Sequence, residues 1–194
     1  MLRPLERRDF SDLARWLDAP HVRASWRDQD ASLAHLESKY GPRIDGASPV
    51  AVFVVAVDGA GVGIIQTCPA SAYGYWPSEL GLDEAIIIDG LFGAAEALGR
   101  GHATAALQVL ARSLLRPGGE QSVIAACTAR ANHRTRRLLE RAGFCLVFEG
   151  DLVRDGFQAQ CVYTLRGVQP DDGFRNPDET ADRSDERTVQ ESSP

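Results

Sequence analysis

Apolar and polar positions alternate along this chain in two patterns, short apolar runs and helical periods. The run VAVFVVAV, which opens after Pro49, holds eight apolar residues and is typical of a buried strand. The segment Asp58-Gly59-Ala60-Gly61 predicts a turn into a second strand over Val62–Cys68. We therefore expect these two strands to form a hairpin.

Strands and helices then follow one another to the end of the periodic part. Further strands are predicted at Leu2–Leu5, Glu84–Asp89, Ser122–Cys127, Phe144–Glu149 and Gln160–Leu165. Asp9 can cap a first helix with Leu13, Trp16 and Leu17 on its apolar face, and Asp30 or Ser32 can begin a second with Leu33, Leu36 and Tyr40 on one side. Two more helices are predicted at about Gly101–Leu115 and at Asn132–Arg141. This order indicates a mixed α/β fold.

Charge divides the chain into two parts. Residues 169–194 carry eight acidic and three basic side chains and few apolar ones, so we expect an acidic disordered tail, for which an interaction role is the alternative. Residues 1–168 form the predicted domain and are nearly neutral, with 19 acidic and 18 basic side chains. That balance argues against a nucleic-acid surface.

The remaining composition is that of a cytoplasmic protein. No apolar run approaches the roughly 20 residues that a membrane helix needs, and the N-terminus is charged from its third residue, unlike a signal peptide. We therefore expect a cytoplasmic location and no membrane partner. The four cysteines (Cys68, Cys127, Cys145 and Cys161) form no CxxC pair and are expected to be reduced and mostly buried.

A glycine-rich turn, Leu98–Ala103, directly precedes the third helix. Such a turn can direct several backbone N–H groups, together with the positive end of the helix, at a phosphate or pyrophosphate. A dinucleotide fingerprint would need a third glycine where Thr104 stands, and no gap such as Gly90–Ala97 after the strand. These residues argue against dinucleotide binding and leave a phosphate site of another kind, with close packing of helix and strand as the alternative.

A second motif, Asn132 to Phe144 (NHRTRRLLERAGF), follows the next strand. Together with the glycine turn it resembles the GNAT family of acyl-CoA-dependent N-acetyltransferases, whose loop is written Q/R-x-x-G-x-G/A. The resemblance covers about residues 1–167. Within the family the chain is similar to aminoglycoside 6′-N-acetyltransferases, in Pro20-His21-Val22 followed by Trp26, in Tyr75-Trp76, and in the twelve residues from Asp89 to Gly101.

The resemblance implies a fold and a cosubstrate. The fold is a central mixed, mostly antiparallel sheet of six to seven strands flanked by about four helices, and the cosubstrate is acetyl-CoA, with no metal. Cofactor contacts are implied for Leu91, Gly93, Leu98, Gly99, Arg100, Gly101, His102, Ala103, Thr104 and Asn132. Asn132 can also be a helix N-cap, and the two roles are compatible.

Asp89 is the candidate catalytic base. An alkylammonium has a pKa near roughly 10, so the acceptor arrives protonated, and a carboxylate can bind it and take its proton. The alternative is that Asp89 caps a turn at Gly90. On the acceptor side the resemblance implies Trp76, Tyr73, Asp83, Glu84 and Trp26. Solvated loop charges are the alternative for the acidic residues, and core packing for Trp26 and His21.

One departure concerns the leaving group. The family often uses a tyrosine of the Asn-to-Gly-Phe helix to protonate the thiolate, and Leu139 stands at that position. Water, or a tyrosine such as Tyr73, Tyr75 or Tyr163, can take this role. Leu98 and Ala103 also depart from the loop pattern. We therefore expect an aminoglycoside acetyltransferase, with a siderophore-type hydroxylysine acyltransferase or a CoA-binding regulatory domain as alternatives, and a monomer or a homodimer.

Overall fold

The structure, a computed structural model, describes residues 1–26, 30–72, 80–115, 123–152 and 157–167. Its centre is a seven-stranded sheet in the order β1-β2-β3-β4-β5-β7-β6, in which only β4 and β5 pair in parallel. The strands are β1 Leu2–Pro4, β2 Ala51–Val57, β3 Ala60–Pro69, β4 Ile86–Phe92, β5 Val123–Ala129, β6 Cys145–Leu152 and β7 Phe157–Arg166. The helices are α1 Phe10–Leu17, α2 Pro20–Arg23, α3 Leu33–Ile44, α4 His102–Leu114 and α5 His133–Arg141. The mixed, mostly antiparallel sheet of the sequence analysis is confirmed.

The hairpin of β2 and β3 is confirmed as well. Asp58 and Gly59 have φ of 49° and 85°, so both turn residues lie in the left-handed region that a tight two-residue hairpin turn requires. A short polar side chain and a glycine are the residue types that adopt it at low cost.

One expectation for the first helices is wrong, and one of two alternatives is confirmed. The side chain of Asp9 does not cap α1; its carboxylate instead accepts hydrogen bonds from the Arg3 guanidinium at 2.6 and 2.8 Å and from the Glu6 N–H at 2.9 Å. Ser32, rather than Asp30, caps α3 by accepting from the His35 N–H at 3.2 Å. The described residues also include one short helix more than the four expected, α2, which begins at Pro20.

Helices cover the sheet on both faces. On one face α4 and α5 bury Leu107, Leu110 and Leu139 against the strands, and on the other α1, α2 and α3 bury a second cluster of aromatic and aliphatic side chains. Trp16 of α1 lies over two glycines of the sheet, Gly61 in β3 and Gly93 directly after β4. A Cβ at Gly93 would come within 2.0 Å of the Trp16 side chain, and a Cβ at Gly61 within 3.1 Å. The glycines thus let α1 approach the sheet closely.

The cysteines differ in exposure more than expected. Cys68 and Cys161 are buried and Cys127 is half-buried, but Cys145 is exposed at the start of β6, an edge strand. All four are free thiols. In the described part of the chain, no helix combines the length and the apolar character needed to cross a bilayer.

The sheet opens between its two parallel strands. β4 pairs with β5 from Ile86 to Ile88, whereas β4 itself continues to Phe92 and β5 to Ala129. No further pair between them occurs among the described residues, so a gap opens next to Asp89. This gap, and the loop and helices around it, form the candidate site.

Candidate active site

The edge of β4 that faces the gap has main-chain groups that point away from β3. The Gly93 N–H donates to the Val62 carbonyl at 3.0 Å and therefore faces β3. Along an antiparallel strand, the main-chain N–H and C=O groups of successive residues point alternately to one neighbour and to the other side. The main-chain groups of Leu91 therefore also point toward β3, and those of Gly90 and Phe92 point away from it. An extended ligand arm in the gap would thus pair with Gly90 and with the N–H of Phe92, whose carbonyl oxygen lies 2.8 Å from His21 Nε2. The main chain of the two expected contacts, Leu91 and Gly93, serves the sheet.

The glycine turn has the conformation that only glycine adopts cheaply. Gly99 and Gly101 have φ of 75° and 84°, and nothing lies within 4 Å of a Cβ at either position. Gly101 precedes the first turn of α4, whose leading N–H groups, from His102, Ala103 and Thr104, have no partner within the helix. The turn therefore presents open backbone donors, beside the exposed Arg100, to an anionic group.

Asn132 is the N-cap of α5. Its side-chain oxygen accepts from the Thr135 N–H at 3.1 Å. The cap uses only the oxygen, so the amide NH2 remains as the group through which Asn132 would contact a cofactor. The capping alternative is confirmed and leaves the cofactor role open.

Asp89 lies on β4 directly opposite Gln66 of β3. The Gln66 amide donates from Nε2 to Asp89 Oδ1 at 2.7 Å, and its Oε1 accepts from the Arg43 guanidinium. β4 runs on through Gly90, so the turn that Asp89 would cap does not exist and that alternative is wrong. Burial raises the pKa of the Asp89 carboxyl, while Gln66, Arg43 and Lys39 act in the opposite direction.

Asp89 is flanked by two basic side chains of α3, Lys39 and Arg43, which we call the basic wall; the sequence alone does not predict it. Lys39 and Arg43 of α3 lie 5.3 and 5.1 Å from the centre of the Tyr40 ring, one turn of helix apart. Their four-residue spacing is the signal that would have placed both on one side of α3. The sequence alone, however, does not show that this side of α3 packs near β3 and β4, and so does not connect it with Asp89.

The position of the family tyrosine is apolar in three dimensions as well as in sequence. Leu139 is 3% exposed and packs in the core that contains Ile88. Tyr163, one of the proposed substitutes, is fully buried; its hydroxyl accepts from Arg136 Nε at 3.1 Å and donates to Glu140 at 3.0 Å. Burial raises the pKa of Tyr163. Its hydroxyl thus ties β7 to α5.

The expected acceptor residues divide into three groups. Asp83 and Glu84 are exposed in the loop before β4. Trp26 is half-buried and packs against the cluster under α1 to α3, and His21 Nε2 lies 2.8 Å from the Phe92 carbonyl oxygen, joining α2 to the end of β4. Tyr73 and Trp76, and with them Tyr75, lie outside the described residues. The described residues contain no cluster of three metal-ligating side chains.

Solved structures with a similar fold cover most of the chain. The chain is similar to the aminoglycoside acetyltransferase AAC(6′)-Ib in complex with coenzyme A, with 25% identity, a TM-score of 0.72, and coverage of 84% of this chain and 92% of that one. The complex of the same enzyme with ribostamycin and coenzyme A matches with 25% identity and a TM-score of 0.73, covering 91% and 98%.

A more distant likeness concerns the fold alone. Spermidine N-acetyltransferase from Vibrio cholerae, in complex with CoA and spermine, shares 18% identity at a TM-score of 0.65, with 86% of this chain and 94% of that chain covered. No curated protein sequence matches the chain significantly. The family model described as "Acetyltransferase (GNAT) domain" matches residues 6–152, most of the predicted domain. The chain belongs to the GNAT acetyltransferase family.

Proposed function

We propose that this protein transfers the acetyl group of acetyl-CoA to a primary amine, and that the amine is the 6′-amine of an aminoglycoside. The observation that carries the proposal is the position of Asp89, a carboxylate on β4 at the point where β4 and β5 separate. The 25% identity to AAC(6′)-Ib supports the acceptor class.

The gap and the glycine turn suit the two ends of the cosubstrate. The pyrophosphate would lie on the free N–H groups from Gly99 to Thr104, with Arg100 adding a charge-assisted contact. The pantetheine arm would pair with the outward-facing main chain of Gly90 and with the Phe92 N–H, and the Asn132 amide would reach it from α5. An N–H of β4 would polarise the thioester carbonyl as negative charge develops on its oxygen.

Asp89 would prepare the acceptor. Its carboxylate binds the ammonium and takes one proton, directly or through water, and the freed nitrogen attacks the thioester carbon. The C–N bond forms, the C–S bond breaks, and the second proton on nitrogen leaves as the thiolate is protonated. Leu139 has no proton to give and the Tyr163 hydroxyl is tied to Arg136 and Glu140, which leaves water, or Tyr73 or Tyr75 of the segment before β4, to supply that proton. A CoA thiol resembles a free cysteine, with a pKa near roughly 8.5, so its thiolate leaves without an acid.

Direct transfer in a ternary complex fits the thiols better than a cysteine-linked intermediate. Burial raises the pKa of Cys68, and the nearby negative charge of Asp89 acts in the same direction. Burial likewise raises the pKa of Cys161. A thiol with a raised pKa holds little of the reactive thiolate at neutral pH. We therefore expect the acetyl group to pass from CoA to the amine without stopping at either of these two thiols.

A second acceptor class is favoured by one observation. Lys39 and Arg43 lie on one side of α3, and their positive charges act on Asp89. These charges repel a polycation and do not help to bind it. An amine that also carries a carboxylate, such as a hydroxylated lysine of siderophore synthesis, would be attracted by them. The aminoglycoside stays the first candidate because of the exposed Asp83 and Glu84 in the loop before β4 and the 25% identity.

The test is an acceptor screen that follows the release of CoA thiol. Wild-type protein is mixed with acetyl-CoA and with aminoglycosides, hydroxylysine or simple polyamines in turn. We expect thiol release with aminoglycosides. Release with hydroxylysine alone would show instead that the acceptor is an amine that also carries a carboxylate. Binding of CoA with no release from any amine would contradict both and favour a regulatory domain.

The glycine turn is tested in the same screen. A Gly101→Val variant forces a β-branched side chain into φ near +84°, at a cost of about 1–2 kcal/mol in the conformation that the turn needs. Since a Cβ there meets nothing within 4 Å, the fold should tolerate it. We expect the KM for acetyl-CoA to rise about tenfold; an unchanged KM would contradict the phosphate assignment.

A further inference from the structure

We propose that Arg43 and Gln66 act as a positioning relay that orients Asp89 and keeps it in the carboxylate form that the acceptor amine needs. Neither residue touches the reacting atoms; both act through Asp89. The inference rests on the proposed function only in its kinetic readout, because the state of Asp89 can also be measured without turnover.

The hydrogen bonds of the relay have a fixed direction. A guanidinium can only donate, so the Gln66 atom that meets Arg43 must be the carbonyl oxygen. The amide NH2 then faces Asp89, and donates to Oδ1 at 2.7 Å. Without Arg43 the amide could turn over and present its oxygen to a protonated Asp89. The guanidinium and an ionised Asp89 thus both favour this amide orientation, and Arg43 maintains it when Asp89 takes up a proton.

The relay starts from a rigid part of the molecule. Tyr40, beside Arg43, is 1% exposed and packs in the core under α1 to α3, and the Arg43 guanidinium lies 5.1 Å from the centre of its ring. Gln66 is 4% exposed and sits on β3 directly opposite Asp89. A buried side chain between two paired strands and a core helix has little freedom to move. One oxygen of Asp89 is thus held in place, which leaves the other to meet the amine.

The charges around Asp89 give the relay its effect on proton affinity. Burial raises the pKa of Asp89, and the Gln66 hydrogen bond and the Arg43 and Lys39 charges oppose the rise. The Cys68 thiol on β3 is the other titratable group that the described residues place in its field. Removing the relay would leave burial less opposed. The carboxyl would then take up a proton at a higher pH and cease to act as a base there.

A purely structural role for Gln66 predicts something different. If the amide merely satisfied buried polar groups, its loss would lower stability and lower turnover by the same factor at every pH. If it holds Asp89 ionised, its loss displaces the acidic limb of the pH profile. The two roles are therefore separated by the shape of the profile.

Four variants carry the test. Arg43→Gln removes the charge from a half-buried position and should fold, and Arg43→Lys keeps the charge but not the guanidinium fork. Gln66→Glu pairs with Arg43 but sets a like charge against Asp89. Arg15→Gln is the matched control, because Arg15 is an exposed arginine paired only with Asp12 in the described contacts.

The experiment measures kcat/KM against pH, together with the 13C chemical shift of the Asp89 carboxyl, assigned with an Asp89→Asn sample. We expect the acidic limb to move up by about one pH unit in Arg43→Gln and further in Gln66→Glu, with Arg43→Lys between Arg43→Gln and the wild type. The control should match the wild type. If no amine is turned over, the proposed function fails while the carboxyl titration still decides the relay. An Asp89 titration that is the same in wild type, Arg43→Gln and Gln66→Glu would overturn the relay.

Discussion

Replacing Asp89 by asparagine removes the proposed base and little else. Asparagine has nearly the same shape, and its Oδ1 can still accept the hydrogen bond that Gln66 Nε2 donates at 2.7 Å. The fold and the binding of CoA should therefore persist. What is lost is the group that takes a proton from the acceptor.

The size of the loss follows from the acceptor's own proton equilibrium. With a pKa near roughly 10.4, about one amine in 800 is unprotonated at pH 7.5. An enzyme without a base must wait for that fraction, so kcat/KM should fall roughly 10²- to 10³-fold, within the usual contribution of a general base. By pH 9.5 the free amine has risen to about one in ten, and most of the lost activity should return.

The assay is kcat/KM from thiol release between pH 6.5 and 9.5, with CoA affinity measured alongside. Asp58→Asn is the matched control, since Asp58 is an exposed residue of the β2–β3 turn whose φ of 49° asparagine accepts. A variant within threefold of wild type at pH 7.5, with a profile of the same shape, would refute the assignment of Asp89 as the base.

Three further predictions concern the frame of the site. Gly93→Ala places a Cβ within 2.0 Å of Trp16 and should lower the free energy of unfolding in urea by about 1–3 kcal/mol, and an unchanged midpoint would contradict the close packing of α1. Tyr163→Phe removes a buried hydroxyl with two partners, so stability should fall by about 1–2 kcal/mol while kcat stays within about threefold; a large loss of kcat at unchanged stability would instead make it the acid. Burial opposes ionisation of Asp9, but the Arg3 guanidinium holds the pKa of the Asp9 carboxyl below its usual value in the folded protein. The contribution of this ion pair to the free energy of unfolding is therefore complete above the pKa of the unfolded chain and is lost as pH falls through the pKa of the folded protein. Asp9→Asn should accordingly flatten the acid limb of a stability curve, and an unaltered limb would show that the pair adds nothing.

The sequence predicted most where local pattern and contact coincide. The β2–β3 hairpin and the Asn132 cap depend on residues close together in the chain, and both are confirmed. Asp9 shows the limit of such reasoning: an aspartate before a helix usually caps it, but Arg3 on the neighbouring strand binds the carboxylate first.

The candidate site was predictable in its parts but not in its arrangement. Asp89 and the glycine turn belong to short motifs with fixed spacing, so the sequence places both. The partners of Asp89 come from β3 and α3, 23 and 46 residues away along the chain, and no local period links Arg43 to Gln66 or either to Asp89. The basic side of the site became visible only when α3 was packed on the sheet.

The basic wall bears on acceptor choice. Lys39 and Arg43 oppose a densely charged polycation close to Asp89, so an aminoglycoside would have to place a single amine there and direct its other amines toward the loop before β4, where Asp83 and Glu84 are exposed. A polyamine chain has no rigid ring system to separate its charges in this way. We therefore expect aminoglycosides to be better acceptors than linear polyamines.

Acetylation of an aminoglycoside at its 6′-amine is the proposed activity. Its most direct test compares an aminoglycoside that has an amine at the 6′ carbon with an analogue that has a hydroxyl there, following thiol release and identifying the product by NMR. We expect thiol release and a 6′-acetamide with the first compound and at least a hundredfold slower release with the second. Equal rates with both compounds, or release with neither although CoA binds, would contradict it.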